Sequence, residues 1–129
     1  MPQRFTAADI LFISLGGTMG SLLRWWIGLG FMGNFPVPTI LVNILGAAAL
    51  GVLHASQHRL HPQGRYLYMV GFCGSFTTIS LFSLETLQLF EAGRPWAALV
   101  NLFLPVGIAI VVVVLVIRVV EKSIERRRQ

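Results

Sequence analysis

Apolar positions fall into four long runs with little polar interruption, at about 8–31, 37–56, 66–90 and 96–120. Each run is near the roughly 20 residues that a helix needs to cross the hydrocarbon of a bilayer. None shows the two-residue alternation of a membrane-barrel strand, and Val111-Val112-Val113-Val114-Leu115-Val116 is apolar without a break. The links at 32–36, 57–65 and 91–95 are short, so consecutive spans run antiparallel as neighbours in one bundle. The pattern predicts an all-α integral membrane protein with a single transmembrane domain over residues 1–129. The first run is too long for a secretory signal, with no small-residue cleavage site before more apolar sequence, so it is expected to be retained as a span.

Composition supports lipid as the solvent. The 129 residues are 55% hydrophobic and 12% charged, against about 25% charged for a soluble domain. Trp25, Trp26, Tyr66, Tyr68 and Trp96 lie near span ends, where amphipathic rings sit at membrane interfaces. The net charge is +5, and five of the ten Lys and Arg residues lie between Arg118 and Arg128. The basic tail over 118–129 reads as a juxtamembrane segment facing anionic lipid. No basic patch interleaved with aromatics occurs elsewhere, so nucleic acid is not an expected partner. With four spans both termini share a side. Arg4, Arg59, Arg65 and the tail lie on it and Arg94 lies on the other, which predicts cytoplasmic termini. Cys73 is the sole cysteine, so no intramolecular disulfide is available.

Polar groups inside apolar spans are costly and mark function. Arg24 lies late in span one, either lining water or reaching an interface. Asn43 lies within span two, where an amide supplies donors or joins helices. Span three carries Gly71-Phe72-Cys73-Gly74-Ser75-Phe76-Thr77-Thr78-Ile79-Ser80-Leu81-Phe82-Ser83-Leu84-Glu85. Two glycines and a run of hydroxyl residues predict a helix broken near the middle, with freed carbonyls able to bind a cation and freed amides an anion. Helix resuming after Thr78 puts Thr78, Phe82 and Glu85 on one face. Gly16 and Gly20, with Gly46 and Gly51, predict close helix packing. His54, His58 and His61 share helical spacing but lack an acidic or thiol companion, which favours a polar cap over a zinc site. No phosphate-binding loop, nucleophile elbow or paired carboxylates are present, and no enzyme is expected.

These residues resemble the Fluc (CrcB-type) family of fluoride channels over nearly the whole chain. The resemblance rests on Gly16-Gly17-Thr18-Met19-Gly20 with Leu23-Arg24-Trp25, on Thr39-Ile40-Leu41-Val42-Asn43 with Gly46, and above all on the segment from Gly71 to Glu85. It implies passive fluoride export from the cytoplasm of a bacterium across its inner membrane. It also implies an antiparallel, dual-topology homodimer with two pores. At its centre a structural sodium ion is held by backbone carbonyls, here those of Gly74 and Thr77. Along the fluoride pathway it implies Asn43, Phe82, Thr39, Thr78, Ser80, Ser83 and Glu85, with Arg24 near a mouth. The chain departs from the family at Ile79, which replaces a phenylalanine, at Ser75 and Pro38, which replace glycines, and in span four, which offers only Asn101 in place of a hydroxyl track. The marked Lys and Arg bias also favours one orientation, so an oppositely oriented paralogue is an alternative partner to a second copy. A proton-coupled multidrug exporter would need a carboxylate deep in span one, where only Asp9 stands, at its start. A non-transporting assembly protein would gain nothing from a broken span.

Overall fold

The computed structural model describes residues 5–31 and 35–126. Arg4, most of the first link and the last residues of the basic tail, all used in the sequence reading, lie outside the described residues. Helix α1 (Ala7–Leu29) opens on a reciprocal cap. The Thr6 side chain accepts from the Asp9 amide at 3.2 Å, while the Asp9 carboxylate accepts from the Thr6 amide at 2.9 Å. Asp9, the acid nearest to span one, is thereby engaged in starting the helix. Helix α2 (Val37–Ala55) begins behind Pro36 with Pro38 in its first turn, where a missing N–H costs nothing. A 3₁₀ turn (Gln57–Arg59) follows, so the second link is largely ordered structure.

The third segment is α-helical at Pro62–Arg65, π-helical over Tyr66–Cys73, and α-helical for a last turn at Gly74–Phe76; together these form α3 (62–76). Thr77 (φ −80°, ψ 157°) and Thr78 (φ −150°, ψ 122°) are extended. Helix α4 (Ile79–Glu91) then starts under a cap from the Thr78 side chain. It ends at Gly93, whose φ of 71° is the left-handed conformation that glycine tolerates. Helix α5 (Pro95–Arg126) has 32 residues and runs past the expected end of span four into the basic tail. Its length, about 48 Å, exceeds the roughly 30 Å of a hydrocarbon core. Four segments, Ala7–Leu29, Val37–Ala55, Pro62–Glu91 and Pro95–Arg126, are long and apolar enough to cross a membrane.

Close backbone approach organises the bundle. Helix α1 packs mainly on the π-helical part of α3, and α5 packs on both α2 and α4. A Cβ on Gly16 would meet the Leu67 carbonyl and lie 2.9 Å from the Phe72 nitrogen, and one on Gly20 would meet the Phe72 carbonyl and lie 2.9 Å from the Phe76 nitrogen. A Cβ on Gly71 would lie 3.0 Å from the Gly16 Cα. The small-residue spacing in span one therefore serves packing. Side chains such as Val42, Phe76, Phe82, Leu89 and Ala98 form a thin buried core. Large apolar side chains stay exposed along every helix, including Trp25, Trp26 and Phe103. Only lipid or another chain could cover such a surface.

Candidate functional site

The site grows from the extended pair. A helix leaves its last carbonyls without intrahelical partners. At the end of α3 the Cys73 carbonyl accepts both from the Thr77 amide, at 3.1 Å, and from the Thr77 hydroxyl, at 2.9 Å. The next amide, of Thr78, turns away to Asn43. Asn43 Oδ1 accepts from the Thr78 N–H at 2.8 Å and Asn43 Nδ2 donates to the Thr78 carbonyl at 3.1 Å. One side chain of α2 thus satisfies both backbone groups of a residue that has left the helix. The Thr78 hydroxyl accepts from the Leu81 amide at 3.2 Å, capping α4, and lies 3.3 Å from the Ser80 hydroxyl. Gly46, almost one turn beyond Asn43, gives its Cβ space to the Thr77 methyl group. Among the described residues, the Gly74 and Thr77 carbonyls accept no hydrogen bond.

Asn43, Gly74, Thr77, Thr78, Ile79 and Phe82 line one open cleft of about 480 Å³, walled on the far side by α5 through Pro105, Ala109 and Val113. Phe82 is buried, whereas Ile79 is 78% exposed at the start of α4. Farther along α4, the Thr39 hydroxyl donates to Glu85 Oε1 at 2.8 Å, and the buried Glu85 Oε2 has no partner among the described residues. Glu85 also borders a second cleft of about 540 Å³, lined among the described residues by Phe31, Phe35, Pro36, Pro38, Gln88, Leu89, Ala92 and Arg94.

The remaining expected residues sit apart from the first cleft. Ser80 and Ser83 are exposed, and the Ser83 hydroxyl donates to the Ile79 carbonyl at 2.8 Å. Arg24 is half-buried on α1, makes no hydrogen bond or ion pair with a described residue, and lines neither of these two clefts. Among the described residues no group of three His, Cys, Asp or Glu side chains is placed to hold a metal.

One polar link was missed from sequence. Asn101 is fully buried and donates from Nδ2 to the Thr86 hydroxyl at 2.8 Å, which in turn donates to the Phe82 carbonyl at 2.8 Å. Thr86 follows Phe82 at the four-residue helical spacing, which was the available signal. Asn101 Oδ1 has no partner among the described residues, and Pro105, four residues on, has no N–H for the Asn101 carbonyl.

A family model described as CrcB-like protein, Camphor Resistance (CrcB), matches residues 11–117. A Saccharophagus degradans protein named fluoride-specific ion channel FluC is 36% identical over 120 residues, covering 88% of this chain and 90% of its own. A protein of the same name from Shewanella pealeana is 40% identical over 113 residues, covering 83% of this chain and 91% of its own. One from Neisseria meningitidis serogroup B is 37% identical over 99 residues, covering 75% of this chain and 82% of its own.

Proposed function

The chain belongs to the CrcB-like family, and we propose that it is a multi-pass membrane channel through which fluoride passes down its gradient. It is not an enzyme. The observation that carries the reading is the extended Thr77–Thr78 pair held by Asn43 inside an otherwise apolar span. Unpaired backbone in lipid costs several kcal/mol per group, so a helix is interrupted there only where protein, water or an ion meets the freed groups. The relatives' name supplies the identity of the ion.

Fluoride is small and gives up its water at high cost, so the pathway must return donors. Asn43 Nδ2 has two N–H groups and uses one on Thr78, leaving the other for the cleft. The Phe82 ring adds a positive edge. At Ile79, beside it, there is no ring edge, which weakens anion contact at the start of α4. Several weak stations in file let an ion leave as readily as it enters. Thr39, Ser80, Ser83 and Glu85 extend the route, and the Thr39 hydroxyl is committed to Glu85.

The finer assembly is part of the same proposal. A second, oppositely oriented chain, either a copy or a paralogue, covers the open cleft and the exposed Ile79. The cell inner membrane of a bacterium is the expected location, and export from the cytoplasm relieves fluoride toxicity. The Gly74 and Thr77 carbonyls suit a hard monovalent cation, because both are oxygen donors that accept no hydrogen bond among the described residues and both residues border the cleft. Two such donors are too few for a cage, and the same pair from a partner would complete one. A sodium ion there would supply positive charge between two pathways. Fluoride efflux from proteoliposomes, followed with a fluoride electrode beside a chloride control, tests the reading. Fast fluoride release without chloride release is expected; release of neither ion from folded dimer would refute it.

A further inference from the structure

The second cleft carries a single basic residue among its described lining. Arg94 borders the same roughly 540 Å³ space as Glu85, with Gln88 beside them, whereas Arg24 does not border it. Resting on the channel reading above, we infer that this cleft is an entry mouth for fluoride and that Arg94 is the residue that draws the anion in.

The backbone fixes Arg94 from both sides. Gly93 donates to the Phe90 carbonyl at 3.1 Å and the Arg94 amide donates to the Leu89 carbonyl at 3.0 Å, the paired bonds of a glycine-terminated helix end. The Arg94 carbonyl then accepts from the Ala98 amide at 3.0 Å, so the same residue closes α4 and opens α5. With no slack on either side, the Arg94 backbone is held at the rim of the cleft.

Charge gives the position its purpose. Glu85 sits on the wall of this cleft, and its Oε2 has no partner among the described residues. In its ionised form that carboxylate repels an incoming anion. A guanidinium on the same cleft offsets that field, and a cleft with low-dielectric walls focuses it. Thr39, bonded to Glu85, stands on the route from this mouth toward Asn43, one helical turn along α2.

The test compares fluoride efflux from proteoliposomes bearing wild type, Arg94→Gln, Arg94→Lys and, as a control on the opposite side, Arg118→Gln. Efflux is read at low fluoride, where entry limits the rate, in sodium isethionate at low and high ionic strength. At low salt Arg94→Gln should be slower by about ten-fold, the low end of electrostatic steering effects. That deficit should shrink as the Debye length falls from about 30 Å to about 8 Å, while Arg94→Lys and Arg118→Gln keep the wild-type rate. Equal rates for Arg94→Gln and wild type at low salt would overturn the assignment. So would a deficit that ignores salt and is not restored by lysine, because that pattern belongs to a structural role. Failure of the wild type to release fluoride would refute the channel reading instead, and so remains distinguishable.

Discussion

Replacing Asn43 with alanine removes both partners of the Thr78 backbone at once, the N–H bond at 2.8 Å and the C=O bond at 3.1 Å. Two limits bracket the cost. Leaving a buried polar group unsatisfied costs about 1–3 kcal/mol each, or roughly 2–6 kcal/mol for two. Interhelical hydrogen bonds measured within membranes average only about 0.6 kcal/mol, because the unfolded state in lipid also finds partners. Thr78 is extended, so its backbone groups regain helical bonds only if the interruption closes. The lower limit applies to a closed span and the upper to an open one. With the interruption preserved, a loss of about 2–3 kcal/mol is expected. Reversible unfolding in mixed detergent micelles measures it, with fluoride efflux recorded on the same preparation. Asn43→Asp separates the two bonds, since one carboxylate oxygen still accepts from the Thr78 N–H while the other faces the Thr78 carbonyl. A loss below about 0.5 kcal/mol for Asn43→Ala, with efflux intact, would show that the clamp neither stabilises nor shapes the pathway.

Three further outcomes follow from the same geometry. Gly16→Val should abolish folded protein, because its Cβ would press on the Leu67 and Phe72 backbone, and size-exclusion of the detergent-solubilised chain would show aggregation or loss; a monodisperse, active variant would contradict the packing. Ile79→Phe restores a ring edge beside Phe82, and efflux should rise; an unchanged flux would make that position irrelevant to the ion. Asn101→Leu removes one hydrogen bond together with a buried acceptor that has no partner among the described residues, so its unfolding free energy should fall within about 1 kcal/mol of wild type in either direction. A loss above roughly 3 kcal/mol would mean that Oδ1 is satisfied in the membrane by water or another group.

The four spans were legible because lipid imposes one requirement on length and another on polarity, and 8–31, 37–56, 66–90 and 96–120 satisfy both. The polar contacts between spans two and three were legible for a related reason: Asn43 and Glu85 are costly in such surroundings and so stand out, and the structure joins Thr39 to Glu85 and Asn43 to Thr78. The π-helix over Tyr66–Cys73 was not legible, since Tyr-Leu-Tyr-Met-Val-Gly-Phe-Cys carries no local preference for it. Its setting against Gly16 and Gly20 is tertiary. The bond between Thr86 and Asn101 escaped for another reason. Each residue alone resembles an incidental polar side chain, and only the packing of α4 on α5 pairs them. Arg94 entered through the charge rule for loops, and its place at a cleft depends on Phe31, Phe35, Pro36 and Pro38 meeting the far end of α4, a tertiary contact with no local signal.

Helix α5 governs how deep the bundle rests in its bilayer. From Trp96 to Ile117 it carries no charge, and those 22 residues span about 33 Å, close to a hydrocarbon thickness of roughly 30 Å. Beyond them Arg118, Glu121, Lys122, Glu125 and Arg126 follow on one face of the same unbroken helix, while Val120 and Ile124 occupy the other. Drawing the helix inward would drag these ionised groups into oil, at a few kcal/mol for each that reaches the centre. Pushing it outward would strand aliphatic turns in water. The helix therefore works as a float with fixed waterlines, and thinner or thicker bilayers must be met by tilting it, at fractions of a kcal/mol for each ångström of misfit. Because α5 packs on both α2 and α4, such a tilt would be felt at both clefts.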